Sequence, residues 1–146
     1  MANLKLSQLP AAAQLVGAEL VPLVQGGQTK AATLTAIANM RRGAWQLAQL
    51  EAPWIAFGDP FAAPAYRNDG SRVYLRGLIK DGAGGSTAFR LPAGLRPPMR
   101  HLFACISDRN EPTRIDITAT GDVIVVQPLS GTVQWLSLDG IAFCID

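Results

Sequence analysis

The chain has 146 residues, of which 49% are hydrophobic and only 16% charged, against roughly 25% charged in an average soluble domain. That composition supports one ordinary domain with a real core and excludes a disordered tail. A net charge of +2 is too weak for a dedicated nucleic-acid binder.

So little charge leaves part of the surface poorly solvated and points to contact with another subunit. The charge is also uneven: residues 1–42 carry +3 and the remainder −1. No apolar run reaches the roughly 18 residues of a membrane span. The opening Met1-Ala2-Asn3-Leu4-Lys5 lacks the pattern of a secretory signal, so the protein is expected to be made and assembled in a cytoplasm, with no membrane insertion. Cys105 and Cys144 supply neither a disulfide framework nor a four-ligand zinc site. Both are expected to be core thiols.

In chain order, residues 4–10 alternate and end at Pro10. Leu20, Val21, Pro22, Leu23 and Val24 form a short apolar strand whose proline demotes it to an edge or docking strand. Gly26-Gly27 turns the chain, and Thr33 is positioned to cap a short helix over 34–40, with Leu34 and Ile37 on one face. These elements are too short to enclose a core, so the segment is expected to dock on something else.

From Trp45 onward, short strands alternate with turn residues at sandwich-like spacing. Residues 54–57 run into Gly58-Asp59-Pro60, and Asn68-Asp69-Gly70-Ser71 is a tight turn. Residues 72–80 read as a half-buried strand with Val73, Leu75, Gly77 and Ile79 on one face. Strands are also expected at 86–91, 101–107, 113–118, 122–127 and 134–145, the last breaking at Asp139-Gly140. Three prolines keep residues 92–98 irregular. The expected core includes Val73, Leu75, Ile79, Phe103, Ile115, Ile117, Leu136, Leu138, Ile141 and Phe143.

Chemistry-bearing motifs are sparse. Gly82-Ala83-Gly84-Gly85 lacks the Gly-Lys-Ser/Thr ending and following helix of a phosphate loop. His101 is the single histidine and has no nucleophile motif beside it, so a structural role is expected. Asp108, Glu111, Asp116, Asp122 and Asp139 are scattered singly and define no carboxylate pair. Arg67, Arg72, Arg76, Arg90, Arg96 and Arg100 could hold anionic sugars or phosphates, with a solvated outer face as the plainer reading. Trp45, Trp54, Trp135, Tyr66 and Tyr74 could stack on sugar rings, although aromatics on sandwich strands more often serve core or interface. No catalytic residue, cofactor or metal is expected.

Leu6-Ser7-Gln8-Leu9-Pro10, followed by Gly17-Ala18-Glu19-Leu20-Val21-Pro22-Leu23-Val24-Gln25-Gly26-Gly27 and Thr29-Lys30-Ala31, resembles the N-terminal module of many bacteriophage tail-fibre and head-fibre proteins. The stretches Tyr66 to Lys80, Phe89 to Pro97 and Trp135 to Phe143 resemble signatures of phage fibre-tip domains. The resemblance implies a virion protein anchored through Leu6, Leu9, Pro10 and the strand Leu20, Val21, Pro22, Leu23 and Val24. The two modules almost touch, with no long shaft between them, which favours a compact spike, decoration or adaptor.

The expected organisation is therefore an extended anchoring segment with a short helix over 1–42, and an antiparallel, jelly-roll-like β-sandwich over 43–146. The expected role is non-enzymatic: assembly into a phage virion, or host-surface attachment. The alternatives are a carbohydrate-binding module and, behind it, a glycan hydrolase. Expected partners are other virion proteins, a host glycan and further copies of the chain. Val123, Ile124, Val125 and Val126 make both faces of one strand apolar, where an antiparallel sandwich normally buries one. Ala142 and Cys144 do the same in the last strand. These are the candidate subunit contacts, and the resemblance to fibres sets the count at three.

Overall fold

The computed structural model describes residues 12–109, 111–126 and 131–145. The chain divides into two compact units, Met1–Arg41 and Arg42–Asp146. Leu6, Leu9 and Pro10 lie outside the described residues.

In the first unit, β1 (Leu20–Gln25) pairs antiparallel with β2 (Gln28–Thr33), with Leu20 opposite Thr33 and Gln25 opposite Gln28. The two-residue turn between them needs positive φ at both positions, which Gly26 and Gly27 adopt (60° and 73°), matching the right-handed twist of the strands. Helix α1 (Leu34–Asn39) follows, and the Thr33 hydroxyl accepts the Ala36 N–H at 3.1 Å as its cap. The Val16 and Gly17 N–H groups donate to the Glu19 carboxylate at 2.8 and 2.7 Å. The Val16 bond leads in holding that carboxyl below its usual range. None of the described residues of this unit is buried, and Leu20 and Val24 are 68% and 74% exposed. Strand β2 was not legible in the sequence, because Gln28, Thr29 and Lys30 carry no apolar alternation.

The second unit is mainly β and sandwich-like. Its strands are β3 (Gln46–Leu47), β4 (Ile55–Ala56), β5 (Ala65–Asn68), β6 (Arg72–Arg76), β7 (Leu78–Lys80), β8 (Ser86–Arg90), β9 (His101–Cys105), β10 (Thr113–Ile117), β11 (Asp122–Val125), β12 (Leu136–Ser137) and β13 (Ala142–Cys144). They form three antiparallel sheets ordered β8-β11-β10-β9, β12-β7-β4 and β13-β6-β5-β3. All three contribute to one core: Phe89, Ile115, Ile117, Val123 and Val125 from the first, Ile79 and Leu136 from the second, and Val73, Leu75 and Phe143 from the third. Each such side chain contributes about 1.5–3 kcal/mol by leaving water. The expected core residues are all in this cluster, with Phe103 half-buried at its margin.

Residues 72–80 do not form the single strand that their alternation predicts. At Gly77 (φ 97°) the chain leaves one sheet as β6 and enters another as β7. The parity shifts there, so Leu78 and Ile79 are both buried. The return path breaks at the same level, where β12 and β13 again belong to different sheets. The Gly77 N–H donates to the Asp139 carboxylate at 2.9 Å, and the Leu138 N–H donates to the Gly77 carbonyl at 2.9 Å. Strands that switch sheets make the corners of such sandwiches.

The cysteine expectation is corrected at one position. Cys105 is buried, whereas Cys144, on the opposite parity of β13 from Phe143, is exposed. Burial pushes the Cys105 thiol up to about 11, so it stays protonated and inert at neutral pH. A maleimide or disulfide reagent is therefore expected to modify one thiol rapidly in the native protein, identified by mass mapping as Cys144. Cys105 should react only after denaturation. Two thiols reacting at similar rates under native conditions would contradict this arrangement.

Candidate functional site

A cleft in the second unit has a volume of ≈ 420 Å³ and is lined by Phe57, Phe61, Leu78, Ile106, Trp135, Ser137 and Asp139. Phe57 follows β4, and Phe61 follows a turn closed by its own N–H on the Gly58 carbonyl at 3.0 Å. Their rings meet edge to face with centroids 5.2 Å apart. Ile106 is 70% exposed and Phe61 46%, so the apolar walls are open to a ligand. The polar wall is fixed by the sheet-switching corner. Asp139 accepts from the Gly77 N–H at 2.9 Å and from the Ser137 hydroxyl at 3.2 Å, and its own N–H donates to Ser137 Oγ at 3.1 Å. The Lys80 ammonium lies 5.4 Å from the Phe57 ring centroid.

Aromatic walls with a few fixed polar groups suit a small ligand that has an apolar ring face and hydroxyls at its edge. The cleft lining carries a single carboxylate, where ordinary glycoside hydrolysis uses two. Among the described residues no group of three or more His, Cys, Asp or Glu is placed to hold a metal ion. His101 stacks on Phe103 with ring centroids 6.3 Å apart and meets Phe143 in a tilted contact at 6.0 Å, part of the packing at the core margin.

The remaining sequence candidates are distributed over separate surfaces. Leu20, Val21, Pro22, Leu23 and Val24 form β1, with β2 on one edge and, among the described residues, no strand on the other. Val123 and Val125 are completely buried in the core of the chain itself, so that face of β11 leaves no accessible side-chain surface. Ile124 and Val126 take the opposite parity and are half-buried. Ile124 continues a cross-sheet row with Leu102, Asp116 and Thr87. Leu102 is exposed, while Asp116 is covered by a two-bond fork from Arg114 (2.7 and 2.8 Å) and by Arg100 at 3.4 Å. This outer sheet face mixes apolar Leu102 and Ile124 with two ion pairs, Arg114–Asp116 and Arg90–Asp122. Ala142 and Cys144 belong to another sheet, opposite Tyr74 and Arg72.

The arginine-rich middle is not one patch. Arg90 pairs with Asp122 at 2.5 Å, Arg96 donates to the Leu91 carbonyl at 2.9 Å, and Arg100 meets Asp116. Arg67 and Arg76 instead pack on Trp45. Trp54 is a core residue, 2% exposed, with its indole N–H on Ser86 Oγ at 2.8 Å. The sequence reading missed Phe61 and Ile106. The available signal was that Leu102, Ala104 and Ile106, the outward parity of the 101–107 strand, are as apolar as the inward one.

The second unit is thus an antiparallel, sandwich-like domain with an open aromatic cleft. Among solved structures, the chain is similar to the receptor binding protein (gp15) of Listeria phage PSA, with a TM-score of 0.58 at 20% sequence identity over 77% of this chain and 71% of that one. At that identity the likeness establishes a shared fold. No protein-family model matches the chain, and no curated protein matches it in sequence.

Proposed function

We propose that this chain is a non-enzymatic virion protein of a tailed bacteriophage whose second unit attaches to the host surface. The observation that carries this reading is the fold it has in common with a phage receptor binding protein. The open cleft between Phe57, Phe61 and Trp135 supports the carbohydrate-binding variant of the same role, with a glycan as the ligand. Residues 1–42 serve as the virion anchor. The absence of buried side chains among the described residues of Met1–Arg41 supports docking elsewhere, with the outer edge of β1 open to strand addition. The chain works as a homotrimer, with Ile124, Val126 and Leu102 at the subunit contact.

Attachment is tested by incubating labelled protein with host cells and on a glycan array. Trp135→Ala should lose at least about tenfold in binding while remaining folded, as truncation of a central aromatic anchor does. Unchanged binding by a folded Trp135→Ala/Phe61→Ala protein would remove the cleft from the reading, and no binding by the parent protein would remove attachment itself. Deletion of residues 1–41 should leave a folded domain that fails to enter particles. Light scattering tests the subunit count: a mass near that of the 15.5 kDa chain at micromolar concentration contradicts the trimer, and Ile124→Glu should convert trimer to monomer.

A further inference from the structure

The sheet β13-β6-β5-β3 presents an outer face on which Arg67 lies directly opposite Tyr74, with Arg76 two residues further along β6. Trp45 immediately precedes β3. The Arg67 guanidinium carbon is 4.6 Å and that of Arg76 is 4.3 Å from the Trp45 ring centroid, and Arg67 is also 5.4 Å from the Tyr74 ring. Two like charges are thus gathered on a single indole. Such stacking orients each guanidinium and favours a cation over the ring face, but it satisfies none of the N–H donors.

The contrast with the other arginines is informative. Arg90, Arg96, Arg100 and Arg114 each meet a carboxylate or carbonyl oxygen. Among the described residues, Arg67 and Arg76 have no oxygen partner. Their Nε atoms are buried and without a hydrogen bond, while both residues remain half-exposed. Asp69, the carboxylate joined to this face through Tyr74, is already engaged by the Tyr74 hydroxyl at 2.8 Å and the Arg72 N–H at 3.0 Å. A buried donor left unpaired by protein atoms is costly, an anionic oxygen is one partner that satisfies it, and paired guanidinium forks match the oxygens of phosphate and carboxylate.

We propose that Arg67 and Arg76, oriented by Trp45, form a binding site for an oxyanion, a phosphate or carboxylate group carried by a small or polymeric ligand. The site lies apart from the lining of the aromatic cleft and does not depend on the attachment reading. A protein that binds no host cell can still bind the anion, and a protein that binds cells through the cleft can still fail to.

The test is a nuclear magnetic resonance titration of the isotope-labelled full chain with inorganic phosphate, glycerol phosphate, glucuronate and, as neutral control, glucose. The expected result is a saturable, millimolar shift of the Arg67 and Arg76 Nε–H signals and the Trp45 indole N–H, with none from glucose. Preference for glycerol phosphate or for glucuronate identifies phosphate or carboxylate as the natural group. Arg67→Lys/Arg76→Lys, which keeps the charge but loses the planar forks, should weaken binding by at least about tenfold. Arg67→Met/Arg76→Met should abolish it. Non-saturable shifts shared equally with Arg90, or full affinity in the lysine variant, would overturn the site.

Discussion

Gly82→Ala is expected to cost about 3–5 kcal/mol of folding stability, the range for losing a large buried aromatic. A methyl group at Gly82 would come within 1.9 and 2.0 Å of the two carbons shared by the fused rings of Trp54, so the indole would have to leave its place in the core. Trp54 is 2% exposed, and its N–H donates to Ser86 Oγ at 2.8 Å, so displacement also strands a donor. The Gly82 carbonyl accepts from Val133 and the Asp81 N–H donates to the Val133 carbonyl, both at 2.8 Å. That backbone is held on both sides and cannot retreat from the ring. Chemical denaturation of Gly82→Ala, Trp54→Ala and the double variant checks this. In the Trp54→Ala background, where the ring is gone, Gly82→Ala should cost under about 1 kcal/mol, and the difference is the coupling between neighbours. Additive losses would mean that the two residues act independently and that the contact is misassigned.

The same glycine shows why some features were legible in the sequence and others were not. Residues 82–85 look like a phosphate-cradling loop by composition alone, but lack its Lys-Ser/Thr ending and following helix. What Gly82 does instead depends on Trp54, 28 positions upstream in the sequence, and local patterning has no access to such a pairing. The period-two alternation of Ile115 with Ile117 and of Val73 with Leu75 reports local geometry, so the core positions along β6 and β10 could be read directly. Thr33 as a helix cap and Gly26-Gly27 as a hairpin turn were legible for the same reason. Sheet membership was not. The split of residues 72–80 between two sheets arises from Gly77 meeting Asp139 and Leu138 across the fold. The cleft was invisible because it exists only where that corner brings Leu78, Ser137 and Asp139 beside Phe57 and Ile106. Val123, Ile124, Val125 and Val126 together read as more apolar surface than one core needs, and the complete burial of Val123 and Val125 places that half of the strand in the chain's own interior.

Gly77→Ala should separate the fold of the corner from the chemistry of the cleft. A side chain at φ 97° is strained, and its Cβ would approach the Ala62 carbonyl oxygen and the Ala63 backbone to 2.6 Å. Backbone atoms cannot rotate away as a flexible side chain would, so the corner itself must shift. Strain and overpacking together are expected to cost about 2–4 kcal/mol. The shift also carries the Gly77 N–H off the Asp139 carboxylate, and with it the Ser137–Asp139 wall of the cleft. At a temperature where Gly77→Ala remains folded, ligand binding at the cleft should therefore fall along with stability. Trp135→Ala, at a half-buried position on the open side, should reduce binding with a much smaller stability loss. Asp139→Asn offers the third comparison, because it keeps a carbonyl acceptor for the Gly77 N–H and removes the charge. If binding survives in Gly77→Ala despite the full stability loss, the polar wall is a structural tie alone and recognition rests on the aromatic rings. If binding falls in Gly77→Ala but survives in Asp139→Asn, the geometry of that wall matters to the ligand and its charge does not.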